Sequence, residues 1–189
     1  MRELIVTEFL SLDGVMQAPG GEPGYPHTGW VADHFSDELG EVKLAEQLEA
    51  DVLLLGRRTY ESFAGAWPHR DGPMAEKINT MRKVVVSGSA DLGDWAGTEV
   101  VTSDPLGAVR ALKDEDGGPI LLAGSRTLAQ ALLRAGLVDE VRLQVMPVVL
   151  GSGDRLWPQD PEVLPVRLES SKALANGVLL LAYRTVPRG

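Results

Sequence analysis

Four consecutive apolar residues, Val52 to Leu55, are stopped by Gly56 and followed at once by Arg57-Arg58-Thr59-Tyr60-Glu61-Ser62-Phe63. A run this short without polar alternation fits a strand buried on both faces, and such strands belong to parallel sheets covered by helices. A helix-like segment starts at Arg58 or Thr59. At a strand-turn-helix junction, free backbone N–H groups and the positive end of the helix dipole converge on one spot. With two arginines beside it, this junction is suited to an anion such as a phosphate.

The same rhythm runs through most of the chain. Residues 3 to 10 form a first strand, broken by Asp13-Gly14. Ser36 to Ala50 is a helix, capped by Asp33 or Ser36, with Phe35, Leu39, Val42, Ala45 and Leu48 on its inward face. After strand Val52–Leu55 and helix Thr59–Phe63 come a short helix near Met74–Met81 and strands Lys83–Ser87 and Glu99–Thr102. A helix opened by Asp104-Pro105, strand Pro119–Ala123 and a helix from Thr127 to Ala135 closed by Gly136 follow. This alternation predicts an α/β chain of three layers with a mostly parallel, doubly wound sheet, whose ligands collect beyond the C-terminal strand ends. The tail departs from it. Val141, Leu143 and Val145 alternate with polar residues, and runs at Val163–Ala173 and Val178–Thr185 flank Asn176-Gly177, so the sheet should finish with an antiparallel hairpin. Residues 1–189 are expected to form a single domain.

Charge narrows the function. The chain has 18 basic and 27 acidic residues, a net −9, which argues against nucleic-acid or anionic-membrane partners and makes any anion site a local one. There is no cysteine, so disulfides, thiolate nucleophiles and cysteine metal sites are excluded. His27, His34 and His69 have no metal-ligand spacing, and no metal is expected. No Gly-x-Ser-x-Gly elbow or Gly-x-x-x-x-Gly-Lys loop supports a serine hydrolase or a nucleoside triphosphatase. The apolar start around Leu4 is too short for a signal peptide, and no run approaches the roughly 18 residues of a membrane span. A cytoplasmic protein is expected.

Leu54-Leu55-Gly56-Arg57-Arg58-Thr59-Tyr60-Glu61-Ser62-Phe63 resembles the second strand and following helix of dihydrofolate reductase, where a Gly-Arg-x-Thr-aromatic-Glu-Ser signature holds the NADPH phosphates. Taken with Ser11-Leu12-Asp13-Gly14 and Gly124-Ser125-Arg126-Thr127-Leu128, the whole chain resembles the dihydrofolate-reductase-like superfamily. Within it the likeness is closest to the pyrimidine reductase domain of riboflavin biosynthesis, the C-terminal domain of a bifunctional deaminase-reductase.

That resemblance implies a dihydrofolate-reductase-like fold and an NADPH-dependent reductase passing hydride to a small polar pyrimidine- or pterin-like substrate, most like 5-amino-6-(5-phosphoribosylamino)uracil. Arg57 is implied for the adenosine 2′-phosphate and Thr59, with nearby backbone N–H groups, for the diphosphate, with Gly56 and Arg58 also in the cofactor site. Gly124, Ser125, Arg126 and Thr127 repeat the logic at a second strand end, with Ser125 replacing the second of the family's paired glycines. Ser87 and Gly88 would wall the adenine and ribose. The Gly/Pro-rich segment from Gln17 to Gly29 takes the position of a lid over the nicotinamide. Asp13 is the candidate for proton delivery or substrate binding, although a plain Asp-Gly turn accounts for it equally; Trp67 and Gly151 are further candidates to contact substrate. The family's pterin-holding carboxylate has no clean match in Asp33 or Asp37. Two other readings stay open: a true dihydrofolate reductase, and a nucleotide-binding module without catalysis. Homodimers are common in the resembled branch.

Overall fold

The computed structural model describes residues 1–157 and 163–186. Its strands are β1 Leu4–Ser11, β2 Val52–Gly56, β3 Arg82–Val86, β4 Thr98–Val101, β5 Ile120–Ala123, β6 Glu140–Met146, β7 Val166–Ala173 and β8 Leu179–Thr185. The helices are α1 Asp37–Glu49, α2 Arg57–Ala66, α3 Pro73–Thr80, α4 Pro105–Asp114 and α5 Arg126–Arg134. The strands form one sheet in the order β4-β3-β2-β5-β1-β6-β8-β7, in which β1 to β6 are mutually parallel and β8 runs antiparallel to both β6 and β7. The doubly wound sheet and its closing hairpin are therefore as the sequence pattern predicts. Leu53, Leu54 and Leu55 are fully buried, as a central parallel strand requires.

Alternation along the strands builds two cores. Leu4, Val6, Leu54, Ile120 and Leu122 face α4 and α5, where Val109, Leu112, Leu128 and Leu132 cover them. Ile5, Leu53, Leu55 and Leu121 face Tyr60 of α2 and Ile78 of α3. The first helix, α1, lies on this second side, and here the expected apolar face is corrected. Phe35 is 49% and Leu48 56% exposed, whereas Glu46 and Gln47 are buried. The strip of sheet beneath α1 is itself polar: Thr7 donates to Glu46 at 2.9 Å, Lys43 Nζ reaches Thr7 at 2.7 Å and Glu46 at 2.6 Å, and Gln144 Nε2 closes the group on Glu46 at 3.3 Å. A polar strand face selects the polar side of the helix above it, because unpaired buried groups cost more than exposed leucines.

No helix among the described residues is long and apolar enough to cross a membrane.

Candidate functional site

The parallel strands end along one edge of the sheet, where β3, β2, β5, β1 and β6 stand side by side. Two of the sequence motifs become one corner there. The Gly56 N–H donates to Ser125 Oγ at 2.6 Å, and Thr59 Oγ1 lies 2.8 Å from the same hydroxyl. The packing leaves no room for side chains. A Cβ on Gly56 would stand 2.7 Å from Ser125 Oγ, and one on Gly124 2.8 Å from Thr59 Cγ2. Gly124 and Ser125 both have positive φ, 73° and 68°, so the chain turns sharply from β5 into α5.

The two helices that start at this corner differ from α1 and α4. Ser36 caps α1 and Asp104 caps α4, each side chain accepting from a first-turn N–H. By contrast α2 and α5 have neither a side-chain cap nor an acid in the first turn. They carry Arg57, Arg58 and Arg126 instead, a placement that the helix dipole disfavours by about 0.3–1 kcal/mol for each cation. An anion between the helix ends reverses that sign. Arg57 Nε is paired with Glu61 at 2.7 Å, and Arg126 with Asp154 at 3.3 Å. Arg58 is exposed and has no hydrogen bond or ion pair among the described residues. Thr127 is exposed at the same helix start.

Ser87 and Gly88 follow β3 beside this corner. Ser87 is occupied within its own turn, accepting from Ser89 N–H and donating to Ser89 O. A Cβ on Gly88 would meet nothing within 4 Å, so space is open there.

Asp13 and Gly151 also come together, at the ends of β1 and β6. The Asp13 carboxylate accepts from Ser11 Oγ at 2.7 Å, from Leu150 N–H at 3.1 Å and from Gly151 N–H at 2.9 Å. These bonds, led by Ser11 and opposed by partial burial, hold its pKa below the usual carboxylate range. Ionised, the group staples the loop after β6 to the end of β1. Removing it in Asp13→Ala leaves two N–H groups without that acceptor, and we expect a loss of about 1–3 kcal/mol in denaturant unfolding at neutral pH. Because the folded pKa is the lower one, the stapling is present above the unfolded carboxylate pKa of about 3.9 and is lost as pH falls through the folded value.

The Gly/Pro-rich segment has no helix or strand before the single 3-10 turn at Ala32–His34, yet it is closed on itself. Trp30 Nε1 donates to Gln17 O at 2.8 Å, Gly29 N–H to Ala18 O at 2.9 Å, and Thr28 Oγ1 to Glu22 O at 2.6 Å. It spans the site edge. Tyr25 OH donates to Ser152 O at 2.6 Å on the β6 side, and Ser62 Oγ of α2 to Glu22 at 3.4 Å on the other.

Trp67 lies elsewhere. It follows the last turn of α2, roughly 15 Å along the helix from the corner, with its ring 6.0 Å from Phe63 and the Arg70 guanidinium 4.7 Å above it. Asp33 and Asp37 are exposed. Sequence reasoning passed over Glu8, which is 6% exposed within β1. The available signal was a carboxylate inside an otherwise apolar run.

Residues 2–180 match the family model described as the RibD C-terminal domain. The chain is 26% identical to the uncharacterized protein YyaP of Bacillus subtilis over 96% of this chain and 94% of that one. It is 36% identical to the riboflavin biosynthesis protein RibD of Mycobacterium tuberculosis over 75% of this chain but 41% of that protein. Among solved structures, a putative riboflavin biosynthesis protein from Shewanella sp. PV-4 superposes with a TM-score of 0.75 at 20% identity, covering 98% of this chain and 99% of the other. Dihydrofolate reductase from Enterococcus faecalis, complexed with NADP(H), superposes at 0.63 with 17% identity, covering 98% of this chain and 97% of that one. The fold is thus dihydrofolate-reductase-like.

Proposed function

The chain belongs to the RibD C-terminal domain family, and from that premise we propose that it is an NADPH-dependent reductase of a small polar pyrimidine-like substrate, most like 5-amino-6-(5-phosphoribosylamino)uracil. One observation carries the reading. The uncapped, acid-free starts of α2 and α5 meet at a single glycine-lined corner bearing Arg57, Arg58 and Arg126. This is an arrangement that costs stability unless an anion sits there.

The residues fit the cofactor. Gly56, Thr59, Gly124, Ser125 and Thr127 would hold the diphosphate through backbone and hydroxyl groups, Arg57 and Arg58 the 2′-phosphate, and the open space at Gly88 the adenosine. When bound, NADPH supplies the hydride. The chain aligns donor and acceptor at the strand ends, and the segment from Gln17 to Trp30 excludes water from them. Asp13 acts as a positioning residue, fixing the loop at Gly151 against the end of β1 so that the substrate side of the cleft keeps its shape. Neither Asp33 nor Asp37 matches the pterin-holding carboxylate cleanly, and the match to the RibD C-terminal domain supports a pyrimidine over a folate. A cytoplasmic setting suits this metabolism. A second copy is the proposed cover for β7, all eight residues of which are exposed.

The test is calorimetric titration with NADPH and NADH, joined to an assay of nicotinamide oxidation with the ribosylamino-pyrimidine and dihydrofolate side by side. NADPH should bind at least about tenfold more tightly than NADH, with turnover of the pyrimidine. Arg57→Ala should weaken NADPH by about 10- to 100-fold, the worth of a charge-assisted phosphate contact, and leave NADH nearly unchanged. Equal weakening of both nucleotides would remove Arg57 from the 2′-phosphate. Binding of neither by the unaltered chain would sink the reading.

A further inference from the structure

Among the described residues three glutamates are buried. Glu46 is paired with Lys43 at 2.6 Å and Glu140 with Arg142 at 2.7 Å. Glu8 has no cation in contact, and its Oε1 has no hydrogen-bond partner. Its place in β1 explains the isolation. Val6 and Leu10, on the same face of the strand, and Leu143, its partner in β6, belong to the apolar core under α4 and α5. One step beyond the Thr7–Ala123 pairing, the strand meets Gly124, whose backbone N–H is turned toward the carboxyl. Burial pushes the Glu8 pKa up to about 8, against smaller lowering effects of Lys43 and that N–H. At neutral pH the side chain therefore keeps its proton.

The charged groups around it are otherwise engaged. Lys43 of α1 is hydrogen-bonded to Thr7 on the far face of the sheet, and Arg142 of β6 is turned to that same face by Glu49 and Glu140. Arg126 at the start of α5 is held by Asp154, and Arg155 in the loop after β6 donates to Asp13 O. None neutralises an ionised Glu8.

We infer that Glu8 is a positioning residue of the nucleotide corner: a neutral carboxyl directly behind the Gly124–Ser125 turn, whose ionisation weakens dinucleotide binding. This rests on the reading of that turn as a diphosphate site. Neutral, Glu8 leaves the field of the α5 start positive. Ionised, it sets a full negative charge in an apolar surrounding behind the turn and draws the Gly124 N–H to itself, so a diphosphate in front is repelled. Linkage makes the effect reciprocal, and the bound anion raises the Glu8 pKa further, so binding near that pKa takes up a proton from solvent.

Titration of the full chain with NADPH at a series of pH values, in two buffers of different ionisation enthalpy, tests this. The affinity should be level at pH values below about 7 and fall about tenfold by roughly pH 9.5, with proton uptake greatest between. Glu8→Gln, the neutral isostere, should match the unaltered chain's affinity on the acid side, stay level across the range and take up no proton. Its folding is checked by its melting temperature, which should exceed that of the unaltered chain at alkaline pH. Binding that is level with pH in the unaltered chain, or a fall of the same size in Glu8→Gln, would overturn the role of Glu8 and leave the corner standing. No NADPH binding at any pH would overturn the corner and the inference with it.

Discussion

Gly124→Val is expected to weaken NADPH binding by at least about a hundredfold and to cost the fold about 2–6 kcal/mol in denaturant unfolding. Two independent strains add. The backbone at this position has φ 73°, where a β-branched residue is a genuine outlier, at about 1–3 kcal/mol. The new Cβ would also stand 2.8 Å from Thr59 Cγ2 and 2.9 Å from its hydroxyl, an overpacking worth about 1–3 kcal/mol in its own right. Thr59 can yield only by leaving Ser125, and Ser125 holds the Gly56 N–H, so one substitution disorders both strand ends of the proposed diphosphate site. Gly124→Ala should fall between the two proteins in both measurements, since it adds the φ strain without the branch. An unchanged melting profile and nucleotide affinity in Gly124→Val would mean that the turn is not built as described.

The second large effect lies at the opposite end of the sheet. Lys83, the second residue of β3, has its side chain fully buried, and no carboxylate among the described residues pairs with it. Its ammonium donates to Asn79 O at 2.9 Å, Met81 O at 2.8 Å and Ala96 O at 2.9 Å, under the ring of Trp95 at 4.5 Å. The one side chain thereby ties the end of α3 to the loop before β4. Lys83→Met should destabilise by about 3–5 kcal/mol, because three inward-facing carbonyls lose their donor at once. Burial also lowers the ammonium pKa to about 8, below the value of about 10.4 for an unfolded lysine. Between those two values the unfolded chain binds more protons, so this group makes stability rise with pH across the window. Glu8 acts in the other direction. Its folded pKa, about 8, lies above the unfolded value, so its contribution is lost as pH rises from about 4.3 to 8. These two groups together place a minimum of stability near pH 8. Denaturant unfolding across pH should show Glu8→Gln removing the acid-side slope and Lys83→Met the alkaline one; retention of either slope in its variant would disprove the assignment.

Much of this architecture is legible in the sequence because parallel strands buried on both faces must be apolar throughout. Val52 to Leu55 followed by Gly56 admits few alternatives, and the hairpin at Asn176-Gly177 carries its own turn chemistry. What escapes is whatever depends on a neighbour distant in the chain. The inward side of α1 is not the one Phe35 and Leu48 indicate, because the strip it covers is set by Thr7 and Gln144, residues of two strands distant in the chain. Burial of Glu8 follows from β1 lying between β5 and β6, which local composition does not state. The corner was visible as two separate anion motifs, but the adjacency of β2 and β5 that joins Gly56 to Ser125 is topological.

The segment over the site edge bears on how ligands come and go. Its ends are clasped by the Trp30 indole on Gln17 O and by Gly29 on Ala18 O, and Tyr25 and Trp30 are buried with Val15 and Leu39 in an apolar cluster apart from the two cores of the sheet. A loop clasped in this way is a compact Ω-loop, whose internal contacts survive displacement of the whole. The segment is tied to the rest of the chain by Tyr25 to Ser152, by Ser62 to Glu22 and by the Asp154 N–H to Gln17, and by the burial of Tyr25 and Trp30 against Leu39, Met146, Leu174 and Val178. Displacing it means breaking these ties together, so its amides are expected to exchange as one unit rather than fraying one by one, which hydrogen exchange would read.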